Sequence, residues 1–196
     1  MMQTPQEQFW MSDFGTHYTQ RNRRDWRTRI PFFTDILALT KAKSILEVGC
    51  NWGLNLLAIK SIDPSIVVQG VEINQMALQE ALDHGLDVFP ASAVEVGDLW
   101  PESYDLTLTS GLLIHVPGVQ LAKSMASIAK ASRRYVLAIE YEAEEDEEIP
   151  YRGHSERLWK RPFGRMYQDL GLKLIASGNA PAEAFDQCAW WLMEKQ

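Results

Sequence analysis

Residues 47–53, Glu-Val-Gly-Cys-Asn-Trp-Gly, constrain this chain more than any other stretch. They follow the apolar run Ser44-Ile45-Leu46 and lead into Leu54-Asn55-Leu56-Leu57-Ala58-Ile59, which reads as the opening of a helix. An acidic residue closing a strand, then a glycine-rich turn, then a helix is the start of a nucleotide-binding α/β unit. Glycine permits the tight bend and a close approach of the backbone to a ligand. Asn51 stands where a second glycine is often found, and asparagine is the side chain that best tolerates left-handed backbone. The pattern Gly49-x-Asn51-x-Gly53 has no third glycine to make room for a pyrophosphate. The loop therefore fits a cofactor carrying a nucleoside and an amino acid better than one carrying phosphates.

The rest of the chain extends this unit. Ser44–Val48, Ile66–Val71, Tyr104–Thr109 and Tyr135–Ile139 are short, apolar and rich in branched residues, as strands covered on both faces are. Helices separate them. Asn74 caps one that ends at Gly85, and Val119–Ala131 forms another, while Leu86–Phe89 reads as an additional short strand. This alternation predicts right-handed crossovers and a parallel sheet. The rhythm changes near the carboxyl end, where Leu172–Ser177 and Gln187–Glu194 have no helix between them and pair antiparallel.

Composition bounds the function. The 196 residues, with 46% apolar and 23% charged, suit one soluble globular domain. No apolar run approaches the roughly 20 residues that span a bilayer, and the leading residues lack the pattern of a signal peptide. Two cysteines are too few for a disulfide framework or a structural zinc site, so no metal and a cytoplasmic location are expected. A net charge of −7 argues against nucleic acid as a partner.

Ile45 through Gly53, Val71-Glu72-Ile73, and Tyr104-Asp105-Leu106 through Leu113-Ile114-His115-Val116 stand in an order and spacing that resemble the motifs of class I S-adenosylmethionine-dependent methyltransferases. The resemblance covers about residues 40–140. It implies an α/β, Rossmann-like fold: a mostly parallel seven-stranded sheet with a carboxyl-terminal antiparallel hairpin. It also implies S-adenosylmethionine as cofactor and S-adenosylhomocysteine as product. Gly49, Asn51 and Gly53 would line the methionine part, together with Cys50 as a small loop residue. Glu47 would lie beneath the loop and reach the amino group. Glu72, 25 positions after Glu47, and Ile73 would hold the ribose. Ser92 and Ala93 would lie by adenine, with Ser110 and Leu112 bordering the site. Family members often carry an acidic residue near Ser92, and this chain departs from that pattern. Two flanking stretches, Phe9 to Arg23 and Gly153 to Gly164, are similar to a small methyltransferase family associated with biosynthesis of pseudaminic acid, a nine-carbon acidic sugar.

The resulting expectation is one domain spanning residues 1–196. A helical lid covers 1–35, a cofactor core 40–141, an insertion 142–170, and the hairpin 171–196. Within the lid, Tyr18 and Arg21 are the expected cofactor contacts, the arginine pairing with the methionine carboxylate. The plain structural alternative is an amphipathic helix with exposed arginines. His115 follows the third of the four main strands at the edge where open α/β sheets bind ligands, and is the candidate base, with His154 as its alternative. A histidine packed beside the pocket and bonded to a backbone carbonyl is the competing reading. The insertion begins with an acidic run, Glu142–Glu148, and then reverses charge. Its Tyr151, Arg152, His154, Arg157 and Trp159, with Arg161, are the candidate substrate contacts, since arginines fork onto carboxylates and aromatic rings stack. Pairing of the acidic and basic pieces on a solvated flap is the alternative.

Methyl transfer to a small acidic acceptor at oxygen or nitrogen is the activity these features imply, with a nonulosonic sugar or its precursor as acceptor. The competing readings are a non-catalytic methyltransferase-like subunit and an enzyme acting on another small molecule or nucleotide. A nicotinamide-dependent oxidoreductase is weakened by the absent third glycine. The assembly is a monomer or a homodimer.

Overall fold

In a computed structural model, residues 4–196 are described. Thr4 opens the first helix, α1 (Pro5–Met11), with a capping box: its hydroxyl accepts from Glu7 N–H and the Glu7 carboxylate accepts from the Thr4 backbone. Ser12 then caps α2 (Asp13–Arg21), so the chain turns without a loop. A 3-10 turn at Trp26–Arg29 leads into α3 (Ile30–Thr40), whose Phe32, Phe33 and Ile36 are buried in the main core. Within the segment expected as a lid, α3 packs against the sheet. Residues of α1 and α2 and of the turn that follows them, Asn22, Arg24 and Arg29, reach the site, while the apolar face of α3 is used up against the sheet.

The nucleotide-binding unit follows as read from the sequence: β1 (Ser44–Val48), α4 (Leu54–Ile62), β2 (Val67–Val71), α5 (Gln75–Asp83), β3 (Asp87–Phe89), a short α6 (Val96–Leu99), β4 (Tyr104–Ser110), α7 (Gly118–Ala131) and β5 (Ser132–Glu140). Asn74 caps α5 through Met76 N–H and Ala77 N–H. A two-stranded ribbon comes next, β6 (Glu147–Glu148) against β7 (Trp159–Lys160), then α8 (Phe163–Asp169), β8 (Lys173–Asn179), α9 (Ala182–Phe185) and β9 (Ala189–Glu194). The single turn α9 stands where no helix was expected between the last two strands. Its four residues are too few to show a helical period in the sequence.

The main sheet has seven strands in the order β3-β2-β1-β4-β5-β9-β8. The pairs from β3 through β5 are parallel, and β9 pairs antiparallel with both β5 and β8. Successive residues face opposite sides of a strand. Ile45, Leu137 and Ile139 accordingly join the core under α3 and α4, whereas Leu46, Val136 and Ala138 join the core under α7 and α8. Between β1 and β4 the strand order reverses, and the helices that follow them, α4 and α7, pack on opposite faces of the sheet, leaving a crevice at the carboxyl ends. Open α/β sheets take ligands at such a crevice.

Candidate functional site

Two adjoining cavities occupy that crevice. The first, of about 140 Å³, is enclosed by the β1, β2, β3 and β4 loops and by the lid. Gly49 and Asn51 line it from the turn after β1, where Gly49 has φ +73°, Asn51 +50° and Gly53 +91°. The positive φ favours glycine at position 49, and a Cβ there would also stand 2.7 Å from Leu112 Cδ1 and have to push that methyl aside. Glu72 closes β2 and is buried. Its carboxylate accepts from Asn51 N–H, Ile73 N–H and Asn74 N–H, each at 2.8 Å. Burial pushes its pKa up while those amides pull it down, and the balance remains above the ordinary value. With roughly four acceptor positions on a carboxylate, about one remains for a ligand hydroxyl. The helix-capping and ligand-binding readings of Glu72 are thus compatible, but two incoming hydroxyls would have to share it.

Two carboxylates meet at Ser92, one near it in sequence and one brought by the lid. Glu7, carried on α1, accepts from the Ser92 hydroxyl, and Glu95 accepts from Ser92 N–H at 3.0 Å. Glu7 is one of several lid contacts with the loops. Gln6 Nε2 donates to the His115 carbonyl at 2.7 Å, Asn74 Nδ2 donates to the Trp10 carbonyl at 2.9 Å, and Asn51 Nδ2 donates to Thr19 Oγ1 at 2.9 Å.

The second cavity, of about 340 Å³, shares Tyr18, Gly49, Asn51, Ser110 and His115 with the first. Glu47 lies at its base, 2% exposed, with its pKa pushed up to about 8 chiefly by burial. One carboxylate oxygen accepts from Asn55 Nδ2, while Oε2 is buried without a hydrogen-bond partner among the described residues. Arg29, at 8% exposure, donates to Asn55 Oδ1 and to the Ala184 carbonyl, and its buried Nε is likewise unpartnered. Burial of polar groups is costly unless they are paired. Two orphaned groups on the wall of one cavity, a guanidinium and a carboxyl that a neighbouring cation would ionise, therefore suit a zwitterionic ligand. Farther out the lining is phenolic and ionic: Tyr18, Tyr141 and Tyr151, Arg152, and Arg24 paired with Asp186.

His115 borders both cavities. Its Nδ1 lies 2.7 Å from the Arg157 carbonyl oxygen, which can only accept, so Nδ1 carries the proton and Nε2 the lone pair. Burial lowers its pKa to about 4, which leaves the ring neutral at pH 7. The indole of Trp10 packs against the ring at 4.4 Å.

The fold gathers Tyr18, Glu47, Gly49, Cys50, Asn51, Glu72, Ile73, Ser92, Ala93, Ser110, Leu112, His115, Tyr151 and Arg152 around these cavities. It does not bring the remaining candidates there. Arg21 is exposed, over the rings of Phe14 and Tyr18. Gly53 begins α4 and packs toward Leu86. His154 is exposed against Phe9 and Phe14. Arg157 contributes its carbonyl, with its guanidinium over Phe9. Trp159 lies beneath Arg161, which pairs with Asp146 at 2.8 Å and donates to the Val116 carbonyl at 2.9 Å. The ribbon pairs Glu147 with Lys160 and Glu148 with Trp159 along the backbone, and the Arg161–Asp146 ion pair ties the acidic run to the basic stretch. Glu7, Arg29, Tyr141 and Asp186 were not singled out by sequence. Nothing in the run Arg21, Arg23, Arg24, Arg27, Arg29 distinguishes the one buried arginine until α3 is seen to dock.

No family model matches the chain. It is 34% identical over 106 residues to the ubiquinone biosynthesis O-methyltransferase of Photobacterium profundum, a match covering 52% of this chain and 44% of that one. The match thus spans less than half the length of that curated relative. Among solved structures, the magnesium protoporphyrin IX methyltransferase of Synechocystis PCC 6803 with bound S-adenosylhomocysteine superposes with a TM-score of 0.75 at 11% identity, covering 97% of this chain and 98% of that one. The 1,6-didemethyltoxoflavin-N1-methyltransferase of Burkholderia thailandensis, with its substrate and S-adenosylhomocysteine, gives 0.73 at 15% identity over 100% and 92%. Sheet order, antiparallel end and these superpositions agree: the chain has the Rossmann-like fold of the class I S-adenosylmethionine-dependent methyltransferases.

Proposed function

We propose that this chain is an S-adenosylmethionine-dependent methyltransferase of a small acidic molecule. The observation that carries the reading is the orphaned pair Arg29 Nε and Glu47 Oε2, buried beside the glycine turn where the amino-acid end of the cofactor would lie. Arg29 would meet the carboxylate and Glu47 the ammonium, in the role first expected of Arg21. Glu72 and Ile73 would hold the ribose, and Ser92 and Ala93 the adenine. The neighbours' bound S-adenosylmethionine and S-adenosylhomocysteine favour the same cofactor.

The bound cofactor supplies a methyl group on a sulfonium, which leaves readily as a neutral thioether. What remains for the protein is to orient the acceptor and exclude water. The lid and Trp10 cover the cofactor side. Tyr18, Tyr141, Tyr151, Arg24 and Arg152 offer the acceptor side phenols and cations, a lining suited to a carboxylate-bearing ring. His115 Nε2, neutral and at the border of the two cavities, would take the proton of an oxygen or nitrogen acceptor. Within this class we favour a nonulosonic sugar or its precursor, supported by the flanking sequence stretches and the arginine-tyrosine lining. The curated relative's name favours oxygen as the acceptor atom.

Calorimetric titration with S-adenosylhomocysteine, with NAD as control, tests the cofactor. Micromolar binding of the former alone is expected, and binding of neither would sink the enzyme reading. Methyl uptake from S-adenosylmethionine should then occur with sugar acids and not with the corresponding neutral sugars.

A further inference from the structure

The turn that carries His115 is held from both sides by groups outside the two cavities. Glu140 ends β5 and is fully buried. Its carboxylate receives three backbone donors from the neighbouring loop: Leu112 N–H at 3.2 Å, Leu113 N–H at 3.1 Å and Ile114 N–H at 3.3 Å. These are amides at the start of the 3-10 turn Leu113–His115, which have no partner within the turn itself. On the opposite side, Arg161 takes the Val116 carbonyl at 2.9 Å and approaches the Leu113 carbonyl at 3.5 Å. The imidazole is then fixed by the Arg157 carbonyl.

We propose that Glu140 is a positioning residue, whose carboxylate sets the His115 turn so that Nε2 stands at the border between the cofactor and acceptor cavities. This rests on the reading of His115 as the group facing the acceptor. A buried carboxylate is an expensive way to terminate one short turn. A serine or threonine could satisfy only one or two of these amides, and an apolar side chain none. The carboxyl group offers acceptors on both oxygens: ionised it has no donor, and protonated, as burial makes it below about pH 7, its single O–H still leaves lone pairs for the three convergent N–H groups. Glutamine is nearly the same size, yet its NH₂ would face an amide donor, so Glu140→Gln is a sharp probe. The same turn places Leu112 on the cofactor wall and His115 on both cavities. Glu140 thereby fixes the base relative to the cofactor without touching either cavity.

Histidine-selective ¹⁵N NMR of the full chain tests this without a known acceptor. The four histidines allow His115 to be assigned by its loss in His115→Gln. In the unaltered protein His115 should show a single tautomer, Nδ1–H, and no titration down to about pH 5. In Glu140→Gln we expect mixed tautomers and a titration midpoint raised by at least about one unit, as the ring leaves its buried hydrogen bond. The affinity for S-adenosylhomocysteine should change less than about five-fold, a small step in free energy. Glu140→Asp, with a shorter carboxylate, should fall between the two. An Nδ1–H tautomer and midpoint unchanged in a folded Glu140→Gln protein overturn the proposal. If that variant does not fold, Glu140→Asp decides by the same signal: displacement supports the role and an unchanged His115 overturns it. A protein that fails to bind S-adenosylhomocysteine at all refutes the cofactor reading instead, and the NMR result is read separately.

Discussion

Gly49 and Gly111 both have positive φ, +73° and +64°, yet they differ in what surrounds them. A Cβ on Gly111 would meet only Ile114 Cδ1 at 4.0 Å, whereas on Gly49 it would strike Leu112. Gly111→Ala should therefore cost only backbone strain, about 1–2 kcal/mol. Gly49→Ala should cost at least about 1 kcal/mol more from overpacking. Urea melts of the two variants provide the comparison, and equal losses would remove the steric argument for the turn. The orphaned pair gives a second test. Arg29→Met should weaken S-adenosylhomocysteine at least about ten-fold, or 1.4 kcal/mol. It should leave 5′-methylthioadenosine, which lacks the amino-acid end, nearly unchanged. At this scale the sequence showed the residues that belong to a local pattern: Gly49, Asn51 and Glu72 sit at spacings that backbone geometry dictates. Arg29, Glu7 and Asp186 were hidden because each reaches the crevice through tertiary docking, which no spacing records.

Elements follow the same division. The strands and helices of the parallel unit were legible because alternating apolar runs and caps such as Asn74 encode them locally. The ribbon β6–β7 was not, since each strand has two residues and pairs across a ten-residue loop. The lid's contents were visible as aromatics, but its extent depended on α3 burying Phe32 and Phe33. Asn74 joins the two levels, because its Oδ1 caps α5 and its Nδ2 holds the Trp10 carbonyl. Asn74→Ser keeps a cap acceptor and discards the lid donor. Hydrogen exchange in α1 and α2 should accelerate in that variant while α5 stays protected. Asn74→Ala should additionally lose about 1 kcal/mol of stability with the cap. Bound S-adenosylhomocysteine should slow tryptic cleavage at Arg21, Arg23 and Arg24, which connect the lid to the sheet. Unaltered cleavage with ligand bound would mean that the lid does not respond to the cofactor.

For the whole molecule, the crevice imposes a pH dependence that ordinary acid denaturation would not give. Glu47 and Glu140 are raised from 4.5 to about 8 and about 7, both mainly by burial, and His115 is lowered from 6.5 to about 4. Between pH 4.5 and 6.5 the folded chain holds a proton on each carboxyl and none on His115. The unfolded chain holds one proton on the histidine and none on the carboxylates. The folded state thus binds one proton more, and its stability falls by about 1.4 kcal/mol per pH unit as pH rises. From pH 6.5 to 7 the histidine no longer compensates and the fall steepens. It ends once Glu140 and then Glu47 ionise near their folded values. The histidine acts in the opposite sense, contributing stability above pH 6.5 that is lost as pH falls toward 4. The ligand-free protein should therefore melt at a higher temperature at pH 6 than at pH 8.5. Glu47→Gln should flatten that slope by about one proton and become the more stable protein at pH 8.5, while losing affinity for the cofactor. A ligand ammonium beside Glu47 favours its ionised form, so saturating S-adenosylhomocysteine should release a proton near pH 7. Calorimetry in buffers of different ionisation enthalpy reads that release directly. A binding enthalpy independent of buffer would show that Glu47 does not change its charge, and that the orphaned oxygen is not where the ammonium sits.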